Sequence, residues 1–214
     1  MDTRKKESQI IREKGATARM IIGLDIDDVI FNTSEYLGGI LEGLQDNELN
    51  NLKLEIMRGN YTVPKVRDFL AKYLPQTVEN AKIKEGASET IKELKKQGHT
   101  IILITARGNL AFPGSEEKSE QALTKNNIVY DKVIYNCQGK ADACKANDIN
   151  IFVDDSPKNC LEVQTELGIP VIGFESVITA GGLREANISS VKTWDELKEA
   201  FAKILATKAT ASID

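Results

Sequence analysis

Histidine and tryptophan each occur once in the 214 residues, cysteine three times and proline five times, and no uninterrupted apolar run approaches 18 residues. Each scarcity excludes something. A single histidine, His99, with no G-x-S-x-G nearby, leaves no basis for a Ser-His-Asp triad or a histidine-rich metal site; it reads as a helix-end or surface residue. Gly181 and Gly182 stand in no G-x-x-x-x-G-K pattern, so no P-loop is indicated, and Trp194 beside a helix cap reads as packing. Cys137, Cys144 and Cys160 show no C-x-x-C spacing, which fits free thiols in a reducing compartment. The absence of a membrane-length run and of an apolar core in the first 19 residues leads us to expect a cytoplasmic protein with no membrane partner. Positive charge is not in excess either: 28 Lys and Arg against 32 Asp and Glu give a net charge of -4, which argues against a nucleic-acid polymer as partner.

What remains is 41% hydrophobic and 28% charged, the composition of a globular chain. Apolar runs of strand length recur at Met20 to Ile26, Thr100 to Thr105, Lys132 to Tyr135, Asn150 to Val153 and Ile169 to Phe174. Amphipathic stretches separate them: Ala87 to Gln97, Ser115 to Lys125 and Pro157 to Leu167, with Gly98 and Gly168 as stops. Such alternation is the pattern of an α/β fold with a mostly parallel sheet of five strands. Thr193 and Glu196 have capping-box spacing ahead of a final helix.

The stretch between the first two strands is far too long for one crossover. Helical spacing of Val66, Phe69, Leu70, Tyr73 and Leu74 between Pro64 and Pro75, and a second helical segment over Tyr36 to Leu44, predict a small helical cap over residues 36–84. The core domain is then 20–35 plus 85–206. Residues 1–19, with six basic and three acidic residues, read as a loose extension, and 207–214 as a polar tail.

Function is written at the strand ends. Ile21-Ile22-Gly23-Leu24 runs into Asp25, Asp27 and Asp28, and Ile151-Phe152-Val153 runs into Asp154 and Asp155. In an open parallel sheet both tips lie at the carboxyl edge, where ligands bind. Two carboxylates about 4 Å apart repel by about 4 kcal/mol at an effective dielectric near 20, so folding alone does not favour the arrangement. A divalent cation on Asp25, Asp27, Asp154 and Asp155 resolves it, and all-oxygen ligands select Mg²⁺. Asp28 reads equally as a helix cap. Thr105, Ala106 and the following backbone amides offer donors to phosphate at the same edge, and Lys140, with Lys145 as its rival, offers a cation.

The order D-x-D-D-V, T-A-R-G, a lysine and V-D-D-S resembles the haloacid dehalogenase superfamily of phosphohydrolases. Leu24 to Val29 and Ile151 to Pro157 are most similar to its 5'(3')-deoxyribonucleotidase branch. The resemblance implies Asp25 as nucleophile, Asp27 as general acid and base, Thr105 and Lys140 as phosphate binders, and Mg²⁺ on Asp25, the Asp27 carbonyl and Asp154 or Asp155. It implies a phosphomonoesterase working through an aspartyl-phosphate on a nucleotide or another small phosphorylated metabolite, and a Rossmann-like, mostly parallel sheet with the small helical cap inserted after its first strand. The alternative from another class is a non-catalytic metal- and phosphate-binding or phospho-acceptor regulatory domain. Few aromatics, Tyr36, Tyr61, Phe69 and Tyr73, are available in the cap to stack a base. Assembly is left open, a homodimer included.

Overall fold

The computed structural model describes residues 19–43, 52, 55, 63–176 and 179–211. The expected N-terminal extension, but for Arg19, and most of the middle of the expected cap lie outside them, as does Tyr61.

Six strands form one all-parallel sheet in the order β3-β2-β1-β4-β5-β6. They are β1 (Ile21–Leu24), β2 (Thr100–Ile104), β3 (Lys132–Ile134), β4 (Ile151–Asp154), β5 (Val171–Phe174) and β6 (Ser190–Val191). Eight helices are seen among the described residues: α1 (Thr33–Gly43), α2 (Pro64–Asn80), α3 (Ala87–Lys96), α4 (Ser115–Lys125), α5 (Lys140–Ala146), α6 (Pro157–Leu167), α7 (Ala180–Glu185) and α8 (Trp194–Ala211). No helix among them is long and apolar enough to cross a membrane.

The continuous apolar strands are explained by burial on both faces. One face of the sheet, with Ile22, Leu24, Ile101, Leu103, Ile151 and Val153, packs with Ile91 of α3 and Trp194, Leu197 and Phe201 of α8. The opposite face, with Ile102, Ile104 and Phe152, packs with Ala141 and Cys144 of α5 and Val163 of α6. All three cysteines are free and buried.

Four differences from the sequence reading have physical causes. The sheet has a sixth strand, because Ser190–Val191 is only two residues long and carries no periodicity of its own. Helix α2 does not stop at Pro75 but runs through it to Asn80; burying Thr77 and Val78 offsets the roughly 3 kcal/mol that an internal proline costs. Helix α8 continues through the first part of the expected polar tail to Ala211. His99 is not at the surface: it is 1% exposed, and its Nδ1 accepts a hydrogen bond from the Met20 amide, tying the start of β1 to the start of β2. The Thr193 and Glu196 spacing does form a cap, with Thr193 Oγ1 accepting from the Glu196 amide at 3.2 Å. Glu196 reaches one residue further back than a capping box requires, to the Lys192 amide.

The strand order places the functional edge. From β1 the chain adds β2 and β3 on one side and β4, β5 and β6 on the other, so the crossovers reverse between β1 and β4. A crevice opens at such a switch point beyond the carboxyl ends of the strands.

Candidate active site

Asp25 follows β1 directly, and its amide donates to the Val153 carbonyl at 2.9 Å, which fixes it beside Asp154 at the end of β4. Both carboxylates are buried, Asp154 completely. Lys140, the first residue of α5, sends its ammonium between them, 2.5 Å from Asp25 Oδ1 and 3.5 Å from Asp154 Oδ2. It also donates to the Ile104 carbonyl. Only 2% of Lys140 is exposed, whereas Lys145 lies on the exposed side of the same helix.

Asp154 is held further by the Ser156 amide at 2.8 Å and by the Asn159 side chain at 3.1 Å, both from the start of α6. Asp155 is half-buried beside it. Asp27 points to other partners. Its Oδ1 accepts from Thr33 Oγ1 at 2.6 Å and from Arg107 Nη2 at 2.7 Å, and Arg107 Nε reaches both oxygens at 3.0 to 3.1 Å. Asp28 adopts a left-handed backbone (φ 55) and accepts from the Ser34 amide at 2.9 Å and from the Ser34 hydroxyl, so it caps the first turn of α1.

Thr105 is fully buried, and its Oγ1 accepts from the Arg107 amide at 3.1 Å, while Ala106 reaches the surface. The loop after Arg107 is pinned from the end of β3. Asn136, also left-handed, donates its amide to the Arg107 carbonyl at 2.7 Å and accepts from the Leu110 amide at 3.0 Å. Gly108 is required there, since a Cβ would lie 2.1 Å from Asn136 Oδ1.

The electrostatics follow from burial and these contacts. Burial pushes the Asp25 carboxyl up to about 7; Lys140 pulls against it, while Asp154 and Asp27 add to the push. Burial likewise raises Asp154, against Lys140, the Ser156 amide and Asn159. Asp155 stands well above the carboxylate range, raised by burial and then by Asp154, Asp28, Asp25 and Asp27 together. Asp27 is the exception: burial would raise it, but the Arg107 guanidinium overrides that and, with Thr33, holds it low. On Lys140, burial is overridden by Asp25 and Asp154, and the ammonium stays charged.

Residues 4–150 match the family described as "Protein of unknown function (DUF2608)". The chain belongs to this family. Among similar proteins, "Putative nucleotidase YqfW" of Bacillus subtilis is 27% identical over 185 residues, spanning 82% of this chain and 90% of that one. A "predicted phosphatase" from Clostridium acetobutylicum superposes with a TM-score of 0.63 at 14% identity, covering 87% of this chain and all of that one. A "Had-superfamily hydrolase" from Ehrlichia chaffeensis superposes with a TM-score of 0.52 at 14% identity, over 87% and 98% of the two chains. The fold of this DUF2608 chain is that of the haloacid dehalogenase superfamily.

In this DUF2608 chain the site therefore contains three residues that the sequence reading did not assign. Arg107 was visible only as a loop amide, although a cation in an acid-rich edge was a usable signal. Thr33 and Asn159 gave none, because each matters only through contacts made in the fold. A groove of about 1040 Å³ on the α3 and α8 side, lined by Lys84, Phe174 and Trp194 among others, includes none of Asp25, Asp27, Thr105, Lys140, Asp154 and Asp155.

Among the described residues no three His, Cys, Asp or Glu side chains form a metal cluster. Mg²⁺ does not need one: one or two carboxylates, waters and a substrate phosphate suffice. The donor chemistry fits: Asp25 and Asp154 present carboxylate oxygens on either side of one ammonium and Asp155 follows Asp154 half-buried, an all-oxygen set.

Proposed function

We propose that the chain is a Mg²⁺-dependent phosphomonoesterase that works through an aspartyl-phosphate, acting on a nucleotide or another small phosphorylated metabolite. The observation that carries this is the buried Asp25–Lys140–Asp154 arrangement at the switch point between β1 and β4. A buried lysine between two carboxylates costs desolvation of three charges. Its worth lies in presenting an oriented carboxylate nucleophile with a cation beside it for phosphoryl oxygens. The name of the Bacillus subtilis relative supports including nucleotides among the substrates to try.

In this reading Asp25, the Asp27 carbonyl and Asp154 or Asp155 would hold the cation, which when bound would offset charge on the phosphoryl oxygens. Asp25 Oδ attacks phosphorus, an O–P bond forms, and the ester P–O bond breaks as Asp27 hands a proton to the leaving oxygen. Water then attacks the phosphorus, gives its proton to Asp27, and the bond to Asp25 breaks, releasing phosphate. Arg107 favours the ionised form of Asp27, the form the second half-reaction needs as base. The first half-reaction needs a proton on Asp27, so esters with poor leaving groups are the demanding substrates. Lys140 and the donors around Thr105 and Ala106 orient the phosphoryl group.

The test is phosphate release from p-nitrophenyl phosphate, nucleoside monophosphates and sugar phosphates, with Mg²⁺ and with EDTA. Asp25→Asn and Asp27→Asn are each expected to lose at least about a hundredfold in turnover on the best substrate, the scale of one acid-base group. Full activity in EDTA, or near-wild-type turnover in Asp25→Asn, refutes the reading.

A further inference from the structure

A threonine at the N-cap turns its hydroxyl onto an amide of the following turn, but Thr33 is the first residue inside α1 and its hydroxyl goes elsewhere. Its hydroxyl donates to Asp27 Oδ1 at 2.6 Å, and the Ser34 amide of that turn is served by Asp28 Oδ1 at 2.9 Å. Capping has been passed to Asp28, whose left-handed backbone lets its carboxylate reach α1. The Thr33 hydroxyl is thereby free for Asp27, and Thr33 is 8% exposed, so the contact is shielded from water.

Arg107 grips the same carboxylate from the far side, 80 residues away in sequence, with its side chain 4% exposed. The two oxygens of Asp27 are left unequal. Oδ1 accepts from Thr33 Oγ1, Arg107 Nη2 and Arg107 Nε, whereas Oδ2 accepts only from Arg107 Nε among the described residues. The Asp27 side chain as a whole is 34% exposed, open enough to meet a ligand.

We propose that Thr33 is a positioning residue: together with Arg107 it locks the Asp27 carboxylate so that Oδ2 is the oxygen that carries the proton. Helix α1 thus supports the acid-base group of the core directly. The inference rests on the phosphomonoesterase reading and adds to it which oxygen works and what holds it. A carboxylate saturated on one oxygen by two charge-assisted bonds and a hydroxyl cannot swing without breaking them. A misplacement of about 1 Å costs roughly a hundredfold in a proton transfer that depends on alignment.

The experiment compares two esters in Thr33→Val, which keeps the β-branched shape and loses the hydroxyl, and in Thr33→Ser, which keeps the hydroxyl. The quantity is kcat/KM, which reads the first half-reaction only. On an alkyl phosphate such as glycerol 3-phosphate, whose leaving alkoxide needs a proton, Thr33→Val is expected to lose about tenfold or more. On p-nitrophenyl phosphate, whose phenolate leaves unprotonated, it is expected to stay within about twofold of wild type, and Thr33→Ser within about twofold on both esters. Equal losses on the two esters, or none on the alkyl ester, overturn the proposal, as does a Thr33→Ser variant as impaired as Thr33→Val. A wild-type protein inactive on these two esters and on the nucleoside monophosphates and sugar phosphates as well brings down the phosphomonoesterase reading. Wild-type activity with a uniform Thr33→Val loss brings down the positioning role alone.

Discussion

Lys140→Met is the most informative single change outside the carboxylates. Methionine matches the length of the stem and removes the charge. At an effective dielectric near 20 the ammonium attracts Asp25 at 2.5 Å by about 7 kcal/mol and Asp154 at 3.5 Å by about 5 kcal/mol, before any desolvation is subtracted. Most of that is cancelled by the burial of all three groups, and removing one partner of such a buried set typically costs about 3–5 kcal/mol. At about 2–4 °C per kcal/mol for a chain of this size, the melting temperature at pH 8 in EDTA should fall by about 6–20 °C. The sign with pH follows from the carboxyls. Without Lys140 both are pushed further up, the folded state binds more protons than the unfolded one, and stability is lost as pH rises. The deficit relative to wild type should therefore be larger at pH 8 than at pH 5.5. Millimolar Mg²⁺ should recover more of it in the variant than it adds to wild type, since a dication can stand between the same oxygens. Thermal melts at the two pH values, with EDTA and with Mg²⁺, decide the matter. A loss below about 1 kcal/mol at pH 8, or one that does not change with pH, refutes the charge argument.

Two further outcomes concern the scaffold. Burial lowers His99 below its usual 6.5, so the unfolded chain takes up the proton first and stability falls as pH drops below about 6.5; His99→Gln, which can still accept from the Met20 amide, should flatten the melting temperature between pH 5 and 7, and an unchanged slope would clear His99 of the role. Trp194 is 1% exposed, and its Nε1 donates to the Val29 carbonyl at 2.9 Å; Trp194→Phe should cost about 1–3 kcal/mol by leaving that carbonyl unpaired, measured by urea unfolding, and an unchanged midpoint would contradict it.

The sheet was legible because strands sealed on both faces must be apolar throughout, as Ile101 to Ile104 and Ile151 to Val153 are. It was legible only where an element is long enough to show a pattern, which Ser190–Val191 is not. Helix α1 begins at Thr33 rather than Tyr36 because Asp28 supplies its cap from outside the helix, and no local spacing announces that. The acidic tips at Asp25 and Asp154 could be brought together on paper by topology alone. Their neighbours could not, since the Asp27–Arg107 pair depends on how the loop after β2 is folded against Asn136, a contact between separate strands. His99 was misjudged for a related reason: a polar residue after Gly98 looks like a surface turn until β1 is laid across it.

The three thiols have a use that none of the chemistry above requires. Cys137 lies in the loop between β3 and α5, Cys144 on α5, and Cys160 under Asp154, with its Sγ donating to the Asp154 carbonyl. Burial raises all three, so in the closed chain they are sheltered and mostly protonated. An alkylating reagent can reach them only when the surrounding segment breathes. Counting labelled sulfurs over time would then time the opening of the edge at three depths, with no dye or tag added.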